Sequence, residues 1–195
     1  MKRVVFIITH HESGHQVLES ILNNNQRVQC FNTKIDYDHP DSLETLFDMK
    51  HKLNNSAAIY SDTILTNPQL SSESFFGFAK FIYLVRDAKS TLNLMSANSK
   101  YSELGAFRYY TFRLRRIAEM APKTPGAIFL TWRNIEEGKG LHLIEDYLQL
   151  KEPLIYEGEN ALYEDVLPID TCNKAQDVFE RYLYYLRHQD LRKVQ

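Results

Sequence analysis

Apolar residues along this 195-residue chain fall into short unbroken runs separated by stretches with helical spacing. The run Val4-Val5-Phe6-Ile7-Ile8 is continuous and rich in β-branched residues, the mark of a strand buried on both faces of a parallel sheet. Similar runs at Ala57 to Tyr60, Phe81 to Val85 and Ala127 to Leu130, with a weaker one at Val28 to Phe31, predict four more strands. Helical patterns lie between and after them, at Gln16 to Asn24, Ser42 to Leu53, Ser90 to Ala97, Leu104 to Met120, Leu141 to Leu148 and Ala175 to His188. Strand alternating with helix predicts βαβ units, a parallel sheet and right-handed crossovers. No repeat, low-complexity tract or clear linker divides the chain, so one domain over residues 1–195 is expected, a three-layer α/β/α arrangement around a central parallel sheet.

Within the longest helical pattern, Leu104, Phe107, Thr111, Leu114 and Ala118 recur at helical spacing, while Arg108, Arg113, Arg115 and Arg116 fall mainly elsewhere. That predicts an amphipathic helix with a basic outer side. Pro122, Pro125 and Gly126 then interrupt before the last predicted strand.

Composition narrows the class. A 44% hydrophobic content in 195 residues is enough for a substantial core. With 23 Lys and Arg against 25 Asp and Glu, the net charge of -2 argues against a general nucleic-acid binder, and any anion site must be local. Two distant cysteines, Cys30 and Cys172, favour reduced thiols over a disulfide. The first apolar run is too short for a signal segment, and no stretch approaches the ~20 apolar residues of a membrane span. A soluble, cytoplasmic protein is the expectation.

Residues 8 to 22, ITHHESGHQVLESIL, hold the densest chemistry and support two incompatible readings. His11-Glu12-Ser13-Gly14-His15 spells the H-E-x-x-H pattern of zinc peptidases, which needs both imidazoles one helical turn apart and a Glu to polarise the metal-bound water. The flanking sequence suits it poorly, because residues 4 to 9 read as strand, Ser13-Gly14 weakens a helix, and no third ligand motif follows. No metal is expected. A plainer reading makes His10, His11 and His15 polar loop residues.

The other reading starts the helix near Ser13, at the carboxyl end of a central strand, where open α/β sheets bind ligands. The backbone amides of Gly14, His15 and Gln16 are then first-turn donors, reinforced by the helix dipole, and together they make an anion site. A second strand-to-helix junction, Phe81-Ile82-Tyr83-Leu84-Val85-Arg86-Asp87-Ala88, ends a buried strand in a cation.

Taken together these stretches resemble the sulfotransferase family, in which a strand runs into a K/R-S-G-T-T/S loop and a later strand ends in R-D-P before a helix. Glu12-Ser13-Gly14-His15-Gln16 stands at the first motif and Arg86-Asp87-Ala88 at the second. The likeness continues through Leu22 to Cys30, and through Thr131-Trp132-Arg133-Asn134-Ile135, which is similar to the family's Y-E-D-L segment, with Leu141, Ile144, Tyr147-Leu148 and Leu150 following. The resemblance implies a P-loop NTPase-like fold and 3′-phosphoadenosine 5′-phosphosulfate (PAPS) as sulfuryl donor. It also implies a hydroxyl or amine acceptor on a small molecule or glycan. Ser13, Gly14, His15 and Gln16 would cradle the 5′-phosphosulfate, and Arg86 would pair with the 3′-phosphate, with Ser90 nearby.

The chain departs from the family pattern at several of these positions. Glu12 stands in place of the loop cation, and Leu94 stands where the family has a Ser eight residues after the Arg. Ser61-Asp62-Thr63 lies where cytosolic members carry a catalytic His, and Asn32, Thr33 and Asp36 lie where others carry a Glu. The candidate bases are therefore His15 and Asp62. The departures support an alternative function, a catalytically impaired nucleotide-binding or interaction module on the same fold. Tyr109, Tyr110 and Phe112 are candidates for an acceptor pocket. The sequence fixes neither the acceptor nor the oligomeric state.

Overall fold

Six strands, β1 (Arg3–Ile8), β2 (Val28–Phe31), β3 (Ala57–Asp62), β4 (Ala79–Val85), β5 (Ile128–Thr131) and β6 (Arg192–Lys193), form one sheet in the computed structural model. It describes residues 3–31, 57–62, 79–97, 101–158, 167–189 and 192–193. The strand order is β2-β3-β1-β4-β5-β6, and every neighbouring pair is parallel. The helices are α1 (His15–Asn23), α2 (Ala88–Ala97), α3 (Glu103–Met120), α4 (Trp132–Glu136), α5 (Lys139–Leu148) and α6 (Ile169–Arg187).

The unbroken apolar runs are explained by burial on both sheet faces. Val5 and Ile7 of β1, with Ile82 and Leu84 of β4, belong to a core shared with Leu18 and Leu22 of α1 and Ile144 of α5. The alternate residues Phe6, Ile8, Tyr83 and Val85 belong to a second core with Leu92 of α2, Tyr110 of α3 and Phe179 of α6. This is the three-layer α/β/α architecture that the alternation of elements predicts. Each such fully buried aliphatic side chain is worth roughly 1.5–3 kcal/mol relative to exposure.

The topology also creates the site. From β1 the chain leaves through α1 on one face toward β2, and from β4 it leaves through α2 and α3 on the other face toward β5. The topological switch point, where open α/β sheets take ligands, therefore lies at the carboxyl ends of β1 and β4.

Four sequence expectations need correction or limits. The predicted helix Ser42 to Leu53 lies outside the described residues. The helix α6 starts at Ile169 rather than Ala175, because Pro168 supplies its start and Cys172 continues the buried face of Ala175, Phe179, Leu183 and Leu186. In α3 the buried face is Ala106, Tyr110, Arg113, Leu114, Ile117 and Ala118, so its phase is rotated from the predicted one. Leu104 is exposed and Arg113, expected on the basic outer side, is buried. Finally, α4 and β6 were not predicted, being too short or too polar to show a period. No helix among the described residues is long and apolar enough to cross a membrane.

Candidate functional site

Beyond Ile8 the chain turns sharply through Thr9 to Gly14 before α1 begins. Ser13 N–H donates to His10 O at 3.3 Å, closing the turn. Glu12 (φ 58) and Gly14 (φ 90) both adopt the left-handed conformation, which a non-glycine residue occupies uncommonly. At Gly14 the requirement is double, since a Cβ there would also run into the six-membered ring of Trp132. The first intrahelical bonds come from Val17 and Leu18 to Gly14 O. The amides of Gly14, His15 and Gln16 precede them and form the start of the helix dipole.

The one-helix H-E-x-x-H geometry of zinc peptidases is not formed at these residues. His11 lies in the turn and only His15 in the helix, so the two imidazoles are not presented by one helical face. The His11 ring packs 5.3 Å from Tyr109 and 6.1 Å from Tyr101, and its amide donates to Tyr109 Oη at 3.3 Å. His15 Nδ1 instead lies 3.4 Å from Ser13 Oγ. Among the described residues no three His, Cys, Asp or Glu are grouped to hold a metal ion.

Buried polar side chains stiffen the turn from behind. Thr9 Oγ1 donates to Ser13 Oγ, and Ser13 is fully buried, so its hydroxyl points inward and its part in any cradle falls to the backbone. Arg113 reaches in from α3, and its Nη2 donates to Thr9 O at 2.7 Å. His10, also fully buried, accepts the Arg86 N–H at Nε2 (3.0 Å), which assigns the ring proton to Nδ1, placed 2.8 Å from His11 O. Burial holds His10 neutral, with its pKa lowered to about 3; the bond to His11 opposes this, and the charges of Arg113, His15 and Arg86 reinforce it. His15 is likewise held below the usual imidazole range, chiefly by burial and then by His11, with Glu12 pulling the other way.

At the neighbouring strand end, Asp87 Oδ1 accepts the Ser90 N–H at 2.9 Å, capping the first turn of α2. The Arg86 guanidinium lies 5.3 Å over the Trp132 ring. Trp132 is fixed in turn by its Nε1–H to Glu136 Oε1 at 2.7 Å and by Tyr156 meeting it edge-on. Arg86, Ser90, Trp132 and Gln176 line a cleft of about 530 Å³. A second cleft of about 410 Å³ is lined by Val17 and Ile21 of α1 with Leu154 and Tyr156. Both volumes fall in the range of small-ligand sites.

The fold thus gathers most of the predicted residues. Ser13, Gly14, His15 and Gln16 form the turn into α1; Arg86 and Ser90 stand beside it because β1 and β4 pair directly. Ser90 is one helical turn from Arg86 and lines its cleft, while Leu94 lies a turn further along α2 and does not line it. Asp62 ends β3 in register with Ile8, so its backbone reaches the same sheet edge. Thr63, Asn32, Thr33 and Asp36 lie outside the described residues. Of the aromatic acceptor candidates, Tyr109 is beside the turn, but Tyr110 is fully buried and Phe112 is exposed on α3, so those two do not line a common pocket with it. Sequence reasoning missed the roles of His10, Tyr110 and Arg113, although Tyr110 and Arg113 share a helical face three residues apart.

No protein-family model matches the chain, and no curated protein matches it in sequence. Solved structures do. Mouse sulfotransferase SULT7A1, complexed with PAP, superposes with a TM-score of 0.55 at 12% identity over 90% of this chain. The match spans 63% of the mouse protein, so the chain corresponds to less than two thirds of that relative. The sulfotransferase domain from the curacin biosynthetic pathway superposes with a TM-score of 0.54 at 11% identity, covering 97% of this chain and 99% of that domain. With its central parallel sheet and two helical layers, this chain has the fold of the sulfotransferases.

Proposed function

We propose that this protein binds PAPS in the crevice between β1 and β4 and transfers its sulfuryl group to a hydroxyl or amine of a small-molecule or glycan acceptor. The observation that carries this reading is the meeting of two anion-binding features on the sulfotransferase fold. These are a glycine turn opening α1 and, on the adjacent strand end, Arg86. A structural neighbour complexed with PAP supports the nucleotide assignment.

The residues present fit such a group. Glycine at position 14 lets the Trp132 ring pack directly on the backbone of the turn, where a Cβ would clash, and its left-handed conformation shapes the turn that presents the amides. The amides of Gly14 to Gln16 would hold the 5′-phosphosulfate, and Arg86, with Ser90, the 3′-phosphate through charge-assisted hydrogen bonds. Trp132 lines the same cleft as Arg86 and would border the base there. Glu12 opposes an anion, at about 4 kcal/mol for a unit charge 4 Å away in a medium of effective dielectric near 20. Arg86 beside the turn and Arg113 behind it offset that charge.

Bound PAPS would supply the sulfuryl group and a phosphate leaving group. This chain would orient it and stabilise growing negative charge with preorganised amides. His15, held neutral by its burial, is the general base proposed to take the acceptor proton, and Asp62, at the same sheet edge, is the second candidate. Neither cysteine is in a disulfide, which suits a reducing compartment such as the cytoplasm.

Glu12 specifically favours a second reading, nucleotide binding without transfer. A radiolabelled PAPS assay across sugars, lipids and phenols separates the two. Transfer that is lost in His15→Ala supports the enzyme; PAP binding without transfer to any acceptor supports the binding module. Absence of PAP binding at millimolar nucleotide would dismiss both.

A further inference from the structure

Arg86 is held at both of its backbone polar groups by side chains from other elements. Its N–H donates 3.0 Å to His10 Nε2 on the β1 turn, and its C=O accepts from Tyr110 Oη on α3 at 2.7 Å. Both side chains are fully buried, and they touch, with the His10 and Tyr110 rings edge-to-face at 5.1 Å. His10 in turn donates Nδ1–H to His11 O, so the same imidazole ties the β1 turn to the β4 end. Arg86 lies just past β4, and both of its peptide groups are engaged by these two side chains.

We infer that His10 and Tyr110 form a clamp that sets the position of the Arg86 guanidinium relative to the β1 turn, and so selects nucleotides that carry a 3′-phosphate. This rests on the proposed nucleotide reading. The two residues are positioning residues; neither is assigned a contact with nucleotide. A buried bond of fixed direction at each end of one residue leaves its Cα little freedom, and a side chain as long as Arg converts small backbone rotations into large displacements of its fork. Removal of a hydrogen bond that orients a metal ligand costs about 10–100-fold in affinity, and a bond that orients a phosphate-binding guanidinium is expected to act on the same scale.

Tyr110→Phe keeps the ring and removes only the hydroxyl; His10→Leu removes the acceptor, and His10→Gln restores one near the Nε2 position. Calorimetry of each variant with PAP and with adenosine 5′-monophosphate reads the preference for the 3′-phosphate. The clamp predicts that Tyr110→Phe lowers the ratio of the two affinities by about tenfold with binding of the monophosphate unchanged, that His10→Leu lowers it at least as far, and that His10→Gln regains most of it. It also predicts no further fall when Tyr110→Phe is added to Arg86→Ala, since the pair act through that side chain. Equal losses for both nucleotides, or full additivity with Arg86→Ala, would reduce the pair to scaffolding and overturn the clamp. Wild-type protein that binds neither nucleotide would instead overturn the nucleotide reading, and with it the selectivity assigned to the clamp. For His10→Leu, which risks misfolding, the amide resonance of Asp87, which shares a peptide unit with Arg86 O, gives an independent reading in Tyr110→Phe: away from position 110 itself a shift at residues 86–90 is expected, and an unshifted Asp87 amide would contradict the clamp.

Discussion

Single positions carry the sharpest constraints in this molecule. Gly14 combines a left-handed backbone with an indole where a side chain would begin. Gly14→Ala should lower stability by about 1–3 kcal/mol in urea unfolding and abolish PAP binding in calorimetry; an alanine variant that binds normally would show that the turn tolerates a different shape. His10 supplies a pH signature. Its folded pKa of about 3 lies below the 6.5 of an unperturbed imidazole, so between those values the unfolded chain binds the extra proton. Stability is then fully present above about pH 6.5 and falls as pH drops toward 3, by up to about 1.4 kcal/mol per pH unit from this one residue. His15, shifted in the same direction, adds to the trend. Urea unfolding of wild type and His10→Gln from pH 7 to pH 4 should show a shallower decline in the variant, and identical slopes would contradict a buried neutral imidazole. The sequence offered His10 only as a polar loop residue, because its burial depends on α3 and the end of β4, neither of which is local in the chain.

At the scale of elements, periodicity carried most of the information. Five strands and most helices follow from apolar runs and helical spacing, since burial on two faces writes an unbroken run and burial on one writes a stripe. The helix α1 shows it plainly: Leu18, Ile21 and Leu22 are buried and Val17 is exposed. Leu18→Ala and Leu22→Ala should each cost about 2–5 kcal/mol, against less than about 0.5 kcal/mol for Val17→Ala. Similar losses at all three would mean that α1 is turned differently on the sheet. In α3 the same logic misled, because Arg113 was assigned outward as a cation although it lies on the face of Tyr110 and Ile117. A guanidinium that bonds a strand-end carbonyl is tolerated inside, and nothing in helical spacing announces that partner. The elements α4 and β6 escaped for another reason, their five and two residues being too few to display a period.

For the molecule as a whole, the strand order brings distant motifs together. Residues 9–16 and 86–90 are remote in sequence, yet pairing of β1 with β4 at the switch point sets them side by side, which is why each motif alone says little and the pair says more. Arg86→Ala should weaken PAP binding by about 1.5–3 kcal/mol, roughly 10- to 150-fold, as expected for loss of a hydrogen-bonded charge partner. A smaller change would place the 3′-phosphate elsewhere. The most direct test of the central claim is a crystal of this protein grown with PAP. The account predicts nucleotide density across the β1–β4 crevice, with its 5′-phosphate on the amides of residues 14–16 and its 3′-phosphate at Arg86. A crevice free of nucleotide at saturating PAP, or nucleotide bound at another face of the sheet, would contradict it.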